Sequence, residues 1–133
     1  YLTRSAKQGY TVAKYMLGKL YLKGEDVPKQ MLHALHWLES AVKDCDILVN
    51  ATKVGMKPLD GQTLINAKLF HKNLVVADTV YNPRKTLLIE QAEDAGCKAI
   101  GGIGMLLWQG VAAFKLFTGK DMPAQEVLEK FFS

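Results

Sequence analysis

Two short, uninterrupted apolar runs, Ile47-Leu48-Val49 and Leu74-Val75-Val76-Ala77, and a third strand-like segment, Cys97 to Ile100, constrain this chain more than any other feature. Each is too short for a helix and is bounded by polar or turn-forming residues. Continuously apolar strands belong to sheets buried on both faces, and their connectors are far too long for hairpins. The spacing therefore predicts one parallel sheet, with strands near 46–51, 74–79 and 97–100, covered on both sides. The only elements available to cover its open edge are the helices expected at 11–22 and 28–43.

The connectors read consistently with that expectation. A turn-rich stretch through Gly55, Pro58 and Gly61 leads into a short helix near Thr63–Phe70. Asn82-Pro83 breaks the chain before a helix over Lys85–Ala95, closed by Gly96. After the third strand, helices run from Met105 to about Thr118 and from Pro123 to Phe132, separated by Gly119-Lys120-Asp121-Met122.

The stretch Ile100-Gly101-Gly102-Ile103-Gly104-Met105-Leu106-Leu107-Trp108-Gln109 joins a strand to a helix through a glycine turn, a junction where ligands meet backbone. A dinucleotide fingerprint over Gly102-x-Gly104 would place its third glycine at Leu107, whose bulk blocks close approach to a pyrophosphate. Two readings stay open. The glycines admit a ligand to main-chain groups while the Gln109 amide reaches a hydroxyl-bearing substrate, or the turn feeds a core helix with one buried glutamine.

A chain of 133 residues makes one average domain or two small pieces with enough apolar content for a core. No apolar run approaches the ~20 residues of a membrane span, and no leader-like segment opens the chain. Its start at Tyr1 rather than methionine suits a piece of a longer sequence. Cys45 and Cys97 have no Cys or His at ligand spacing, which favours reduced thiols, a cytoplasmic location and no metal. The whole +4 net charge lies in residues 1–43, where seven basic residues face only Glu25, Asp26 and Glu39. Those lysines are spread around the helices, so a solvated face is expected and no nucleic-acid or membrane partner.

Residues 6–43 read as two helices around a tight turn. The first, Thr11 to Leu22, offers Val12, Ala13, Tyr15, Met16 and Leu20 for packing and stops at Gly24. Asp26 and Pro28 restart the chain with proline in the first turn of a helix reaching about Val42. That helix carries Met31, Leu35, Leu38 and Val42 on one face and Ala34, Trp37 and Ala41 on the adjoining one. Such a hairpin cannot bury both faces alone. The pattern Ala6-x-x-Gly9-x-x-x-Ala13-x-x-x-Leu17-Gly18-x-x-Tyr21-x-x-Gly24, with Val27, Ala34, Trp37 and Ala41, resembles one Sel-one-like repeat, a cousin of the tetratricopeptide repeat. Solenoids usually need ~3 such units. His33 and His36, one turn apart, have no third ligand nearby and are expected to face solvent or pack on Trp37.

Residues 44–133 carry three ordered blocks: Asp46-Ile47-Leu48-Val49-Asn50-Ala51-Thr52-Lys53-Val54-Gly55-Met56, then Val76-Ala77-Asp78-Thr79-Val80-Tyr81-Asn82-Pro83-Arg84-Lys85-Thr86, then Gly102 to Gly110. Together they resemble the C-terminal part of shikimate dehydrogenase and its quinate/shikimate relatives. The resemblance implies an α/β fold: an N-terminal helical hairpin (1–43), then the C-terminal half of a Rossmann-type NADP-binding domain with two terminal helices (44–133). It implies Gln109 and Tyr81 as substrate-binding residues for shikimate or quinate. For the NADP cofactor it implies Thr52 and Val54 at the ribose, with Thr79, Gly102 and Met105 at the nicotinamide, Gly102 through its carbonyl. Ligands at the carboxyl ends of parallel strands fit that assignment.

Lys53 departs from the Pro or small residue commoner at its position, and Gly101 from an acidic or amide residue. Residues 1–43 contain no Asn-Val-Thr-x-Pro-x-Lys block, no Asn-Thr-Asp block and no Gly-x-Gly-Gly loop. The family's Lys-Asp pair, which moves the hydroxyl proton as hydride leaves, and its phosphate loop therefore have no counterpart here. The expectation is an oxidoreductase-derived segment without catalytic residues of its own, inactive as this chain. The alternative is a protein-binding module that recruits a partner through the helical hairpin.

Overall fold

The computed structural model describes residues 1–24 and 28–132; Glu25, Asp26, Val27 and Ser133, and with them the expected restart at Asp26, lie outside the described residues. The elements in chain order are α1 (Leu2–Lys7), α2 (Thr11–Lys23), α3 (Met31–Lys43), β1 (Ile47–Asn50), β2 (Val75–Asp78), α4 (Leu87–Asp94), β3 (Lys98–Ile100), α5 (Ile103–Thr118) and α6 (Ala124–Phe132).

The three strands form one parallel sheet in the order β1-β2-β3. Leu48, Val76 and Ala99 lie side by side in the register and face α4. There Leu74, Val76, Leu88, Ala92 and Cys97 make the main core, with Cys45, Leu48 and Phe70 packed around it. Strand alternation sends the next row to the other face. Ile47 is 63% exposed, Val49 55% and Ile100 47%. The sheet is thus covered on one face only, against the expectation of two.

The N-terminal helices do not close that gap, because they are tied to the sheet elsewhere. Lys14, buried on α2, pairs with the Asp44 carboxylate just before β1. Thr11 Oγ1 adds a bond to the Asp44 carbonyl at 3.5 Å. The expectation of uniformly solvated lysines fails at Lys14. Its ammonium is held by a carboxylate that the fold brings from thirty positions away.

Several element boundaries also differ. Helix α1 is additional to the expected set, and Ala6 from it joins Ala13 and Leu17 in a second small core beside Tyr21 and Trp37. Pro28 lies outside α3, which starts at Met31 after an extended Gln30. The helix expected over 63–70 shrinks to a single 3-10 turn at Ala67–Leu69, because Thr63 and Asn66 bind nearby backbone N–H groups in place of a helical ladder. Within the hairpin, small residues rather than large ones mark the buried faces. Ala13, Leu17, Gly18, Ala34 and Ala41 are buried, whereas Val12, Tyr15, Met16, Met31 and Leu35 are exposed.

Candidate functional site

Asn50 and Asp78 are register partners at the carboxyl ends of β1 and β2. The Asn50 side-chain amide donates to Asp78 Oδ1 at 3.0 Å and to the Val54 carbonyl at 2.9 Å. Asp78, only 4% exposed, also accepts Val80 N–H at 2.9 Å on Oδ1 and the Thr86 hydroxyl at 2.6 Å on Oδ2. Thr86 is the N-cap of α4 and accepts Ile89 N–H. One carboxylate therefore ties together the turn after β1, the loop after β2 and the start of α4. All three of its partners are donors, as an ionised carboxylate requires.

The other expected residues hang on this frame. Thr52 donates its N–H and its hydroxyl to Asn50 Oδ1 at 3.1 and 2.8 Å, and its hydroxyl oxygen accepts Val54 N–H. Thr79 donates both its N–H and its hydroxyl to the Asn50 carbonyl. Thr52, Met56, Lys57, Thr79, Val80, Tyr81 and Asn82 then line an open cleft of about 270 Å³. Val54 lines a neighbouring, smaller and mainly apolar hollow of about 90 Å³ with Thr52, Leu48 and Ile65.

Gly102 seats α5 directly behind the cleft. A Cβ there would lie 2.5 Å from the Val80 carbonyl oxygen and 2.7 Å from that of Thr79, so only glycine permits this approach. Its own carbonyl accepts Leu106 N–H at 3.1 Å as α5 begins.

The structure gathers Thr52, Thr79 and Tyr81 around one cleft, with Gly102 at its back. Gln109 and Met105 do not line it. Gln109 is exposed on α5 rather than buried among apolar neighbours, and Met105 is 50% exposed. The reason is helical phase: Leu107 is the buried residue of α5, and a side chain two positions on points to nearly the opposite face. Gln109 stands instead beside exposed Trp108.

The residues that organise the site, Asn50, Asp78 and Thr86, were not singled out from the sequence as site residues. The available signal was a polar residue closing each of two apolar strands, and a threonine directly before the apolar start of a helix. Elsewhere, the His33 ring lies 5.3 Å from Tyr21 and the His36 ring 5.1 Å from Trp37. Among the described residues, no group of three His, Cys, Asp or Glu side chains is placed to hold a metal. No helix among them is long and apolar enough to cross a membrane.

Comparison with known proteins bears on the same region. Residues 102–130 match the family model for the shikimate 5'-dehydrogenase C-terminal domain. A quinate/shikimate dehydrogenase of Shigella flexneri is 54% identical over 88 residues, which are 65% of this chain and 35% of that protein. The crystal structure of shikimate 5-dehydrogenase from Listeria monocytogenes, in complex with shikimate and NAD, superposes with a TM-score of 0.66 at 44% identity, covering 71% of this chain and 33% of that one. The enzyme from Thermus thermophilus, in complex with NADP(H) and shikimate, gives 0.60 at 31% identity, covering 74% and 41%. The chain spans about a third of the length of the curated relatives it matches. With three motif blocks meeting at the ends of a parallel sheet, the chain carries a C-terminal segment of the shikimate dehydrogenase family.

Proposed function

We propose that residues 44–133 supply part of the ligand-facing wall of an NADP-linked oxidoreductase that interconverts shikimate, or quinate, and the corresponding 3-dehydro acid. The observation that carries this reading is the Asp78 cluster, which holds Thr52, Thr79 and Tyr81 around one cleft at the carboxyl ends of β1 and β2. In this reading Tyr81 contacts the substrate, and Gln109 reaches it from the exposed side of α5. Thr79, Gly102 and Met105 hold the nicotinamide end, with Thr52 and Val54 at the ribose. A cleft of about 270 Å³ suits a single ring rather than a whole dinucleotide. In this reading the Gly102 carbonyl, which also accepts Leu106 N–H, takes a carboxamide donor. The cofactor, when bound, accepts or returns the hydride. This chain's own residues orient the ring and the hydroxyl-bearing substrate.

In the same proposal the chain alone does not turn over, because the motif blocks that carry the family's proton-moving Lys and Asp have no counterpart in its sequence. The cellular setting proposed is the cytoplasm. The test is paired. Purified chain is assayed for NADP reduction with shikimate and with quinate, then titrated with NADP and shikimate by NMR. Expected are no turnover and shifts confined to 79–81 and 101–109, with affinity millimolar or weaker, about 4 kcal/mol. Turnover above a Gln109→Ala control overturns the inactivity. A second reading, a protein-binding hairpin over residues 1–43, is favoured by the exposed apolar residues Val12, Tyr15, Met16, Leu32 and Leu35. It gains if shifts centre on residues 10–40.

A further inference from the structure

Strand β1 is paired on one side only. Its Asp46 and Asn50 carbonyls accept Val75 and Thr79 N–H, so by alternation the backbone groups of Ile47 and Val49 point away from β2. Among the described residues, no other segment pairs with that outer edge. The edge carries neither a lysine nor a proline to block pairing, since β1 reads Ile47-Leu48-Val49-Asn50. Both Ile47 and Val49 stay more than half exposed, although the helical hairpin is anchored close by at Asp44. The apolar hollow of about 90 Å³ touches Leu48, Val49 and Asn50 in succession, and so follows the same edge.

Winding fixes the kind of partner. The path from β1 to β2 to β3 advances one way across the sheet, with α4 on the covered face. Crossovers are right-handed, so a strand–helix unit that advances the other way from β1 lays its helix on the opposite face. That is the face where Ile47, Val49 and Ile100 are exposed. One unit of this winding, with its strand parallel to β1, covers the open edge and the open face together. It also brings the loop after its strand to the carboxyl end of β1, beside Asn50, where the strand order reverses. The chain lacks a glycine-rich loop of its own, and it spans about a third of relatives whose remaining length has room for such a unit.

We infer that the outer edge of β1 and the uncovered sheet face form a docking surface for a separate chain. The partner it fits is the strand–glycine loop–helix half of a dinucleotide-binding domain, its strand adding parallel to β1 and its helix lying over Ile47, Val49 and Ile100. The inference goes beyond the proposed reading of the cleft, and it depends on the sheet rather than on the ligand.

The experiment mixes the full, isotope-labelled chain with the portion of the Shigella flexneri quinate/shikimate dehydrogenase outside the 88 residues that match it. The corresponding portion of the Listeria monocytogenes enzyme serves as a second probe. Amide hydrogen exchange is read residue by residue. Expected is an equimolar complex in which the Ile47 and Val49 amides, unbonded in the free chain, exchange more slowly by about tenfold or more. Val49→Lys, which sets an ammonium on the uncovered face, should weaken the complex by about tenfold or more, while Leu32→Ser on exposed α3 should leave it unchanged. The amide readout on the unsubstituted chain stands whether or not Val49→Lys folds. Slowed exchange at Ile47 and Val49 without turnover of shikimate and NADP supports the docking surface and counts against the proposed reading of the cleft; turnover supports both. No complex with either probe, or a complex that leaves both amides fast, overturns the inference. So does loss of binding with Leu32→Ser alone, which moves the docking to the hairpin. Protection of the same amides in the chain by itself, rising with its concentration, gives the edge to a second copy and overturns it too.

Discussion

The side-chain amide of Asn50 meets the carboxylate of Asp78 at 3.0 Å, across the last register pair of β1 and β2. The contact joins the ends of two strands whose apolar parts carry no positional chemistry. Thr52 and Thr79 are then fixed through Asn50, and Val80 through Asp78. Asp78→Ala leaves three buried or half-buried donors without an acceptor, and each unsatisfied donor costs about 1–3 kcal/mol with incomplete additivity. Urea unfolding should show a loss of about 3 kcal/mol. Asp78→Asn should cost about half as much, because one carbonyl oxygen survives while the new amide opposes a donor. A change under about 0.5 kcal/mol for Asp78→Ala would remove the cluster from any role in shaping the cleft.

Gly102 and Gly104 make a matched pair at the start of α5. A Cβ at Gly102 collides with two main-chain carbonyls, while one at Gly104 meets nothing within 4 Å. Gly102→Ala should destabilise by about 2 kcal/mol or more, because backbone cannot step aside as a flexible side chain can. Gly104→Ala should stabilise slightly, by up to about 0.5–1 kcal/mol, through helix propensity. Thermal unfolding of the two variants side by side reads the contrast. Equal effects would mean that α5 is not seated against residues 79 and 80.

How much of this was legible in the sequence depends on what each residue type signals. The parallel sheet was readable from Ile47–Val49 and Leu74–Ala77, because only strands use apolar runs that short. Helix ends at Gly24, Gly96 and Gly119 were readable because each takes a left-handed φ, between +71° and +77°. The buried faces of α2 and α3 were not. Hydrophobicity points to Val12, Tyr15 and Met16, but the missing side chain of Gly18 lets Leu38 approach to where a Cβ would stand, 2.6 Å away. Close approach selects small residues, which carry little hydrophobic signal. Lys14 was opaque for another reason, since its partner Asp44 is near only after folding. Thr52, Thr79 and Tyr81 were named through the family's motifs, and the fold sets all three on one cleft. The outward turn of Gln109 follows from the phase of α5 around Leu107, which a local pattern of apolar residues does not fix.

The two rows of the sheet should respond oppositely to substitution. Val76 is fully buried against Leu88 and Ala92, whereas Val49, one register pair on, is 55% exposed on the uncovered face. Val76→Ala should cost about 2 kcal/mol in chemical denaturation, the removal of buried methyl groups plus a cavity. Val49→Thr should stay within about 0.5 kcal/mol and reduce self-association, since an exposed β-branched row at a strand edge invites pairing with other chains. Comparable losses at both positions would show that the second face is covered in solution.

The two thiols give the chain a pH dependence with a definite sign. Burial pushes the Cys97 thiol above its ordinary value. Cys45 is raised too, first by burial and then by the nearby Asp46 and Asp44 carboxylates. A thiol raised on folding is neutral in the native state at a pH where the unfolded chain already holds thiolate. The unfolded chain then binds fewer protons, so stability falls as pH rises. The contribution is intact below the unfolded value of about 8.5 and is lost as pH climbs through the higher folded values. Denaturant midpoints should therefore hold steady from about pH 7 to 8 and decline above about 9. Replacing both cysteines by alanine should flatten that alkaline decline while lowering stability at about pH 7, because Cys97 belongs to the core with Leu74 and Ala92. Modification by a small alkylating reagent at about pH 8 should be slower at both sites than for a free thiol, and slower at buried Cys97 than at half-buried Cys45. An alkaline decline that survives the double substitution would assign it to groups other than these thiols.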